Sequence, residues 1–218
     1  MTVTAPAEPK PDCPLCPRLV AFRNENERQY PDFFNGAVPS FGPQDARLLI
    51  VGLAPGLKGA NATGRPFTGD YAGDLLYATL LRHGFAQGDY AGHAADGLKL
   101  KDTMITNAVR CVPPQNKPVG AEMNECRPFL KARIASLPRL TAVLALGKIA
   151  HDNTLRALGQ RVAAAKFAHR AAADFDGPNG KVRLFDSYHC SRYNTNTGRL
   201  TEAMFDDVFF DICKFLGS

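Results

Sequence analysis

The sequence has 218 residues, of which 45% are hydrophobic and 22% charged, and 26 Lys and Arg against 21 Asp and Glu give a formal net charge of +5. This composition is typical of a globular chain that buries a core without disulfides. The mild basic excess permits a polyanionic partner but does not demonstrate one. Because we find no secretory leader pattern and no run apolar enough to span a bilayer, we expect a cytoplasmic protein that does not enter a membrane.

The chain is expected to form one domain after a short lead. Residues 1–12 contain three prolines and few large apolar groups, which predicts a disordered N-terminal lead. Residues 13–218 are then assigned to a single domain. A first helix is predicted to begin near Cys16 and to end before Pro31.

Apolar runs alternate with helical patterns through the rest of the chain. Each run is short and aliphatic, as in a parallel sheet covered on both faces, and the four runs are 47–52, 104–109, 142–146 and 182–188. Helices are predicted at 71–83, 122–136, 148–158 and 200–215. This alternation predicts an α/β fold with three layers, α/β/α, around a central, mainly parallel, four-stranded sheet. Ligands of such sheets bind outside the carboxyl ends of the strands.

Four cysteines suggest a metal site. Cys13 and Cys16 form a C-x-x-C pair, Cys111 follows the second predicted strand, and Cys126 comes 15 positions later. Four thiolates can hold either a tetrahedral zinc or an iron–sulfur cluster, and the spacing leaves both open. Scattered free thiols are the simpler alternative.

A glycine-rich loop follows the first predicted strand. Residues 52–73 include six glycines, and the loop matches neither the Rossmann fingerprint nor the Walker loop. Phe67 either caps the core or stacks on a flat ligand. Asp70 either caps the next helix or directs a carboxylate into the ligand cleft.

Two further polar side chains fall at predicted strand ends. Asn107 interrupts an apolar strand, where its amide either pairs within the core or reads the edge of a ligand. His189 follows the fourth strand, where a ligand role competes with a structural one. The polar segment 191–199 suits a loop that contacts phosphates, or a solvated connection.

These motifs together resemble the iron–sulfur uracil-DNA glycosylases, most closely the family 5 branch. The resemblance extends from Cys13 to the final helix. It is carried by GLAPG at 52–56, TGRPFTGD at 63–70, TNAVRC at 106–111, the four cysteines and YHCSRYNTNTGRLT at 188–201. It implies the uracil-DNA glycosylase-like version of the predicted fold. It also implies a monofunctional glycosylase that hydrolyses the N-glycosidic bond of uracil, and of bases such as hypoxanthine or xanthine, in DNA during base excision repair. We expect a monomer.

The resemblance also assigns roles to residues. Asp70 and His189 would be catalytic, with His189 donating a hydrogen bond to uracil O2, while Phe67 would stack on the everted base and Asn107 would read its Watson–Crick edge. A [4Fe–4S] cluster would be held by Cys13, Cys16, Cys111 and Cys126. The base pocket would also include Gly52, Leu53, Ala54, Pro55 and Gly56. DNA contacts are expected from Ser191, Arg192, Tyr193 and Asn194.

Two positions depart from other branches of that superfamily. Leu53 and Ala54 occupy the stretch where those branches carry a water-activating carboxylate, which makes Asp70 the candidate replacement. Cys190 stands where they carry proline. Two other classes of function stay open at this point: a zinc-dependent hydrolase that uses His189 and the cysteines, and a noncatalytic metal-binding module that binds DNA or acts in redox chemistry.

Overall fold

The structure is a computed structural model that describes residues 7–217. The helices are α1 Pro17–Gln29, α2 Ala60–Thr63, α3 Tyr71–Arg82, α4 Gly120–Ala135, α5 Lys148–Ala157, α6 Arg192–Asn196 and α7 Glu202–Leu216. The strands are β1 Leu48–Gly52, β2 Ala86–Gln87, β3 Lys99–Leu100, β4 Thr103–Asn107, β5 Ala142–Leu146, β6 Ala172–Gly177 and β7 Gly180–Ser187. None of the helices among the described residues is both long and apolar enough to cross a membrane.

The central sheet has the strand order β4-β1-β5-β7-β6, and β2 pairs with β3 in a separate two-stranded ribbon. Neighbouring strands from β4 to β7 are parallel. Side chains alternate between the two faces, so that Leu48 and Ile50 face one core while Leu49 and Val51 face the other. The first core is completed by α3 and α7, and the second by α4 and α5. The predicted three-layer α/β/α fold is therefore confirmed.

The prediction of four strands was wrong, because the sheet has a fifth. Strand β6 pairs antiparallel with β7 at the edge of the sheet, and a tight turn joins Gly177 at the end of β6 to Gly180 at the start of β7. Its residues alternate between exposed and half-buried. An edge strand needs no continuous apolar run, because one side of it faces solvent. A search for such runs therefore misses it.

Two other segments differ from expectation. Strand β4 ends at Asn107, so residues 108–109 already leave the sheet. The segment 191–199 contains the short helix α6, which Ser191 caps by accepting a hydrogen bond from the backbone N–H of Asn194.

The predicted N-terminal lead falls in two parts. Residues 1–6 lie outside the described residues. Residues 7–12 contact the fold, which the expectation of disorder did not foresee. The carboxylate of Glu8 lies between Arg110 and Arg133, accepting from Arg110 Nη1 at 2.7 Å and from both Nε and Nη2 of Arg133. The side chains of both arginines are at least 95% buried.

Candidate active site

A cleft of about 540 Å³ opens at the carboxyl ends of the parallel strands. The register pairs Gly52 with Asn107 at the ends of β1 and β4, and Leu146 with Ser187 at the ends of β5 and β7. The volume is within the range of about 300–1,000 Å³ that small-molecule pockets occupy. The cleft is lined by strand ends and the loops that follow them: Leu53, Ala54, Gly56, Lys58, Ala60, Phe67, Gly69, Asp70, Tyr71, Ala72, Asn107, Asn116, His189, Ser191 and Arg192.

Phe67 forms an aromatic wall of this cleft. Its ring centroid lies 5.8 Å from that of His189, with 27° between the ring planes. Gly52 lies directly beneath, where an added Cβ would come within 2.6 Å of Phe67 Cζ and 2.4 Å of Asn107 Oδ1. Only glycine leaves room here for the ring and the amide together.

The backbone of Phe67 is strained and is held by two tyrosines. Its φ of +53° is a conformation that bulky residues rarely adopt. The hydroxyl of Tyr90 donates to the carbonyl of Phe67 and accepts from the N–H of Gly69, both at 3.3 Å. The hydroxyl of Tyr77 donates to the carbonyl of Pro66 at 2.7 Å. This support is not predictable from the sequence, because neither tyrosine belongs to a motif.

Asn107 is the buried amide of the cleft. The residue is 3% exposed, and its Oδ1 has no hydrogen-bond partner among the described residues. Leaving a buried acceptor unpaired costs about 1–3 kcal/mol. Such a group in a cleft wall is poised to accept a hydrogen bond from a ligand.

Asp70 fulfils both of the roles that the sequence left open, as a helix cap and as a carboxylate at the cleft. As the N-cap of α3 it accepts a hydrogen bond from the backbone N–H of Gly73 at 3.1 Å through Oδ1. Its Oδ2 lies over the glycine loop, where a Cβ on Gly59 would approach it to 2.3 Å and one on Gly56 to 3.2 Å. Burial raises the pKa of this carboxyl, although hydrogen bonds from Gly73 and Ala72 oppose the shift. One residue therefore caps a helix and brings a carboxylate to the cleft.

His189 enters the cleft from the turn after β7. Burial lowers the pKa of its imidazole to about 4, so the ring is neutral near pH 7. The side-chain amide of Asn194 donates to the carbonyl of His189 at 2.8 Å, which ties this turn to α6. The histidine can thus donate one hydrogen bond without carrying a charge.

The cleft mouth carries two basic side chains, Lys58 and Arg192, of which only Arg192 was expected. The guanidinium of Arg192 lies 5.4 Å from the ring centroid of Tyr71. Tyr193 does not line the cleft but is 73% exposed beside it. Asn116 is a further lining residue that was not predicted, and its φ of +56° lies within a proline-rich loop.

The predicted site residues thus converge to different degrees. Phe67, Asp70, Asn107 and His189 share one cleft with Leu53, Ala54, Gly56, Ser191 and Arg192. Gly52 lies beneath it, and Asn194 supports it from behind His189. Pro55 is buried and does not line the cleft.

Comparison with known proteins identifies the family. A family model described as the uracil DNA glycosylase superfamily matches residues 39–213. A type-5 uracil-DNA glycosylase of Thermus thermophilus is 41% identical over 210 residues, which covers 94% of each chain. Type-5 uracil-DNA glycosylases of Mycobacterium leprae and Pyrobaculum aerophilum are 44% and 38% identical, covering 94% and 87% of this chain and 92% and 83% of theirs. The chain belongs to the uracil-DNA glycosylase superfamily.

Every residue that lines the cleft of this superfamily member lies within the matched region. Asp70 is the carboxylate among them, and neither Leu53 nor Ala54 supplies another. Cys190 is buried, and its thiol donates to the carbonyl of Ala72 at 3.4 Å. This contact ties the turn that carries His189 to the first turn of α3.

The four cysteines of this superfamily member surround one small cavity. Cys13, Cys16, Cys111 and Cys126 all line it. Burial, together with the neighbouring thiolates, raises the pKa of Cys16 to about 11 and the pKa of Cys111 to about 12. The four sulfurs are therefore close enough for the charge on one to disfavour ionisation of the next.

The donor set around this cavity is four thiols, which can serve either a tetrahedral zinc or an iron–sulfur cluster. Among residues 7–217, no three His, Cys, Asp or Glu side chains come close enough to bind one metal ion. A mononuclear zinc would need its sulfurs within about 2.3 Å of the metal. The backbone N–H of Arg110 donates to Cys126 Sγ at 3.4 Å, and the buried guanidinium of Arg23 holds the carbonyls of residues 11–13. Hydrogen bonds to sulfur are a common feature of iron–sulfur sites.

Proposed function

We propose that this chain excises uracil from DNA by hydrolysing the N-glycosidic bond, as a monofunctional glycosylase of base excision repair. The observation that carries the proposal is the buried Oδ1 of Asn107, which has no partner within residues 7–217 and lies beside an aromatic wall. A side-chain amide offers an acceptor and a donor side by side. Uracil presents the complementary pair, an N3–H donor and an O4 acceptor.

The base must leave the duplex before it can reach this amide. Extrusion costs a few kcal/mol, and less for a mispaired base, which favours lesions over normal pairs. Phe67 offers a ring face on which the extruded base stacks, and the cleft volume of about 540 Å³ accommodates it. Base recognition then follows from Asn107 at the Watson–Crick edge.

His189 acts on the leaving group. As the bond between C1′ and N1 breaks, its electron pair moves onto the base, and negative charge develops on O2. The neutral imidazole of His189 keeps one N–H, which can stabilise that charge by donating a hydrogen bond to O2. Donors that act on charge developing in the transition state are worth about 10²–10³ in rate.

Asp70 acts on the sugar side of the reaction. Loss of the base leaves a cationic, oxocarbenium-like C1′, which the carboxylate favours electrostatically. Water then adds to C1′ and gives up a proton, which neutralises the departed base anion, so the products are an abasic site and the free base. Since so electrophilic a carbon needs little activation of the water, a positioned carboxylate suffices.

The basic side chains at the cleft mouth can bind the DNA backbone. Lys58 and Arg192 can pair with phosphates, and Ser191 lines the same cleft. Tyr193 presents a largely exposed ring next to the mouth, where it can contact bases or sugar, while Asn194 holds the turn. We also propose that the protein acts as a monomer, on DNA in the cytoplasm.

The small side chains in the first glycine motif support a broader range of bases. Ala54 and Gly56 leave the cleft open where a larger carboxylate side chain would occupy space. Hypoxanthine and xanthine are larger than uracil and also present an N–H beside a carbonyl oxygen. We propose both as additional substrates.

We further propose a [4Fe–4S] cluster on Cys13, Cys16, Cys111 and Cys126. When bound, it supplies covalent links between separate segments of the chain rather than chemistry on the base. Iron and acid-labile sulfide analysis of the purified protein should give about four of each per chain, as this cluster type contains. C126S should lower the iron content and the melting temperature, while C213S, outside the site, should change neither. Stoichiometric zinc would overturn this assignment.

Single-lesion duplexes provide the test of function. Labelled DNA with one uracil, hypoxanthine or xanthine should become cleavable by alkali after incubation, and should remain intact without alkali. H189A should lower the single-turnover rate for uracil by about 10²–10³. H93A, at an exposed histidine outside the cleft lining, should match the wild type. The absence of abasic product from every lesion would leave a noncatalytic DNA-binding module as the better interpretation.

A further inference from the structure

A second histidine holds the turn that carries His189. His169 lies between α5 and β6, and its Nδ1 is 3.2 Å from the backbone nitrogen of Tyr188, the residue immediately before His189. Its ring also stacks on the ring of Tyr188, with centroids 5.0 Å apart and 19° between the planes. No sequence motif included His169.

The turn needs such an anchor because the sheet no longer supplies one. The carbonyl of Ser187 accepts from the N–H of Gly147 at 2.8 Å, after which the chain turns into the cleft. The hydroxyl of Ser187 donates to the carbonyl of Tyr188 at 2.9 Å, and the N–H of Tyr188 donates to His169. His189 is therefore held from both sides, by His169 before it and by Asn194 after it.

The hydrogen bond to Tyr188 fixes the protonation state of His169. A backbone N–H only donates, so Nδ1 must carry a lone pair, and the ring proton belongs on Nε2. A hydrogen bond with the backbone of Met204 is also present. Protonation of Nδ1 would set one donor against another and break the contact with Tyr188.

The surroundings favour the neutral ring. Burial lowers the pKa of His169, and the adjacent Arg170 lowers it further, whereas the bond with Met204 and the carboxylate of Asp207 on α7 act in the opposite direction. Arg199 is a further cation in this region, with its guanidinium 4.6 Å from the ring centroid of Tyr188.

We propose that His169 is a positioning residue for His189, and that base excision requires its Nδ1 to be unprotonated. This inference rests on the proposed function. Excision should be fastest above the pKa of His169, which is held below its ordinary value, and should slow as the pH falls through it. His189 and Asp70 also titrate on the acidic side, since burial lowers the pKa of His189 to about 4 and raises the pKa of Asp70, so the step that belongs to His169 is the one that H169N removes.

Two variants test the proposal against a purely structural role. H169A removes the acceptor and should lower the single-turnover rate by about 10–100-fold, as expected for a reacting group displaced by on the order of 1 Å. H169N keeps an acceptor near the position of Nδ1 that does not titrate, so it should restore most of the rate near pH 7.5 and remove the part of the acidic step that His169 contributes. H93N is the matched control and should keep the wild-type profile. An unchanged acidic step in H169N, or a wild-type rate and profile in H169A, would overturn the proposal.

A second measurement does not depend on catalysis. Long-range ¹⁵N–¹H correlation spectra of the full chain report which ring nitrogen of His169 carries the proton. The Nε2-protonated form is expected at pH 7, with the amide signal of Tyr188 shifting as His169 titrates. A proton on Nδ1 would overturn the proposal even in an active protein. Failure of the wild type to excise uracil would instead contradict the proposed function and leave this result standing.

Discussion

Asn107→Leu separates the function of the buried amide from its contribution to stability. Leucine has nearly the shape of asparagine but no polar atoms. In the free protein it removes an Oδ1 that is buried without a partner among the described residues. Replacing such an acceptor with an apolar group of the same shape is neutral or stabilising. We therefore expect N107L to fold as well as the wild type while losing activity.

The magnitudes of the two effects follow from the same atoms. An unpaired buried acceptor costs about 1–3 kcal/mol, and for a chain of this length about 1 kcal/mol changes the melting temperature by about 2–4 °C. N107L should thus melt at or slightly above the wild-type temperature. Facing uracil, it leaves N3–H and O4 unpaired at a combined cost of about 3 kcal/mol. Since 1.36 kcal/mol is tenfold in rate, excision should fall by about 10² or more.

Thermal melting and single-turnover excision, measured on one preparation, distinguish a role of Asn107 in base recognition from a purely structural role. N107A is the companion variant, because it removes the amide without adding volume next to Gly52. A drop of several degrees in melting temperature for both variants, with wild-type excision by the folded fraction, would identify Asn107 as a core residue and refute the proposed role.

The other predictions concern Asp70 and Arg192. D70N keeps an acceptor for the N–H of Gly73 and removes the negative charge of the carboxylate. Because burial raises the pKa of this carboxyl, its charge destabilises the fold above that pKa. D70N should therefore melt no lower than the wild type at pH 7.5, yet excise uracil more slowly. D70A also loses the cap, at about 1 kcal/mol, and should melt below D70N; equal melting of the two would contradict the capping role. R192A should reduce the slope of log affinity against log salt by about 0.9, as expected for one phosphate contact, with K214A on the distal helix as the control. An unchanged slope would remove Arg192 from the DNA interface.

The convergence of the cleft residues was predictable because it depends on topology. Parallel strands that follow one another through helices end at the same edge, so Gly52, Asn107 and His189 had to come together once β1, β4 and β7 were recognised. The apolar runs identified those strands because both of their faces are covered. The sequence also separated Asp70 from Phe67 by only three positions on one loop.

The supporting residues were not predictable from the sequence. His169, Tyr90 and Glu8 act through hydrogen bonds to residues that are distant in the chain, and no local spacing marks them. Strand β6 had a weak signal, since alternating side chains and the turn at 178–179 are typical of a hairpin. Helix α6 spans only five residues, which is too short for helical periodicity to appear.

The carboxylate of Glu8 makes the interior of the protein depend on its N-terminal segment. It neutralises two guanidiniums in the interior, one of which belongs to Arg110, the residue directly before Cys111. Removing one partner of a buried charge pair costs about 3–5 kcal/mol. Proteolytic removal of the first eight residues would therefore destabilise the fold as well as shorten the chain. It would leave two unpaired cations in the interior, and one of them, Arg110, lines the cavity formed by the four cysteines.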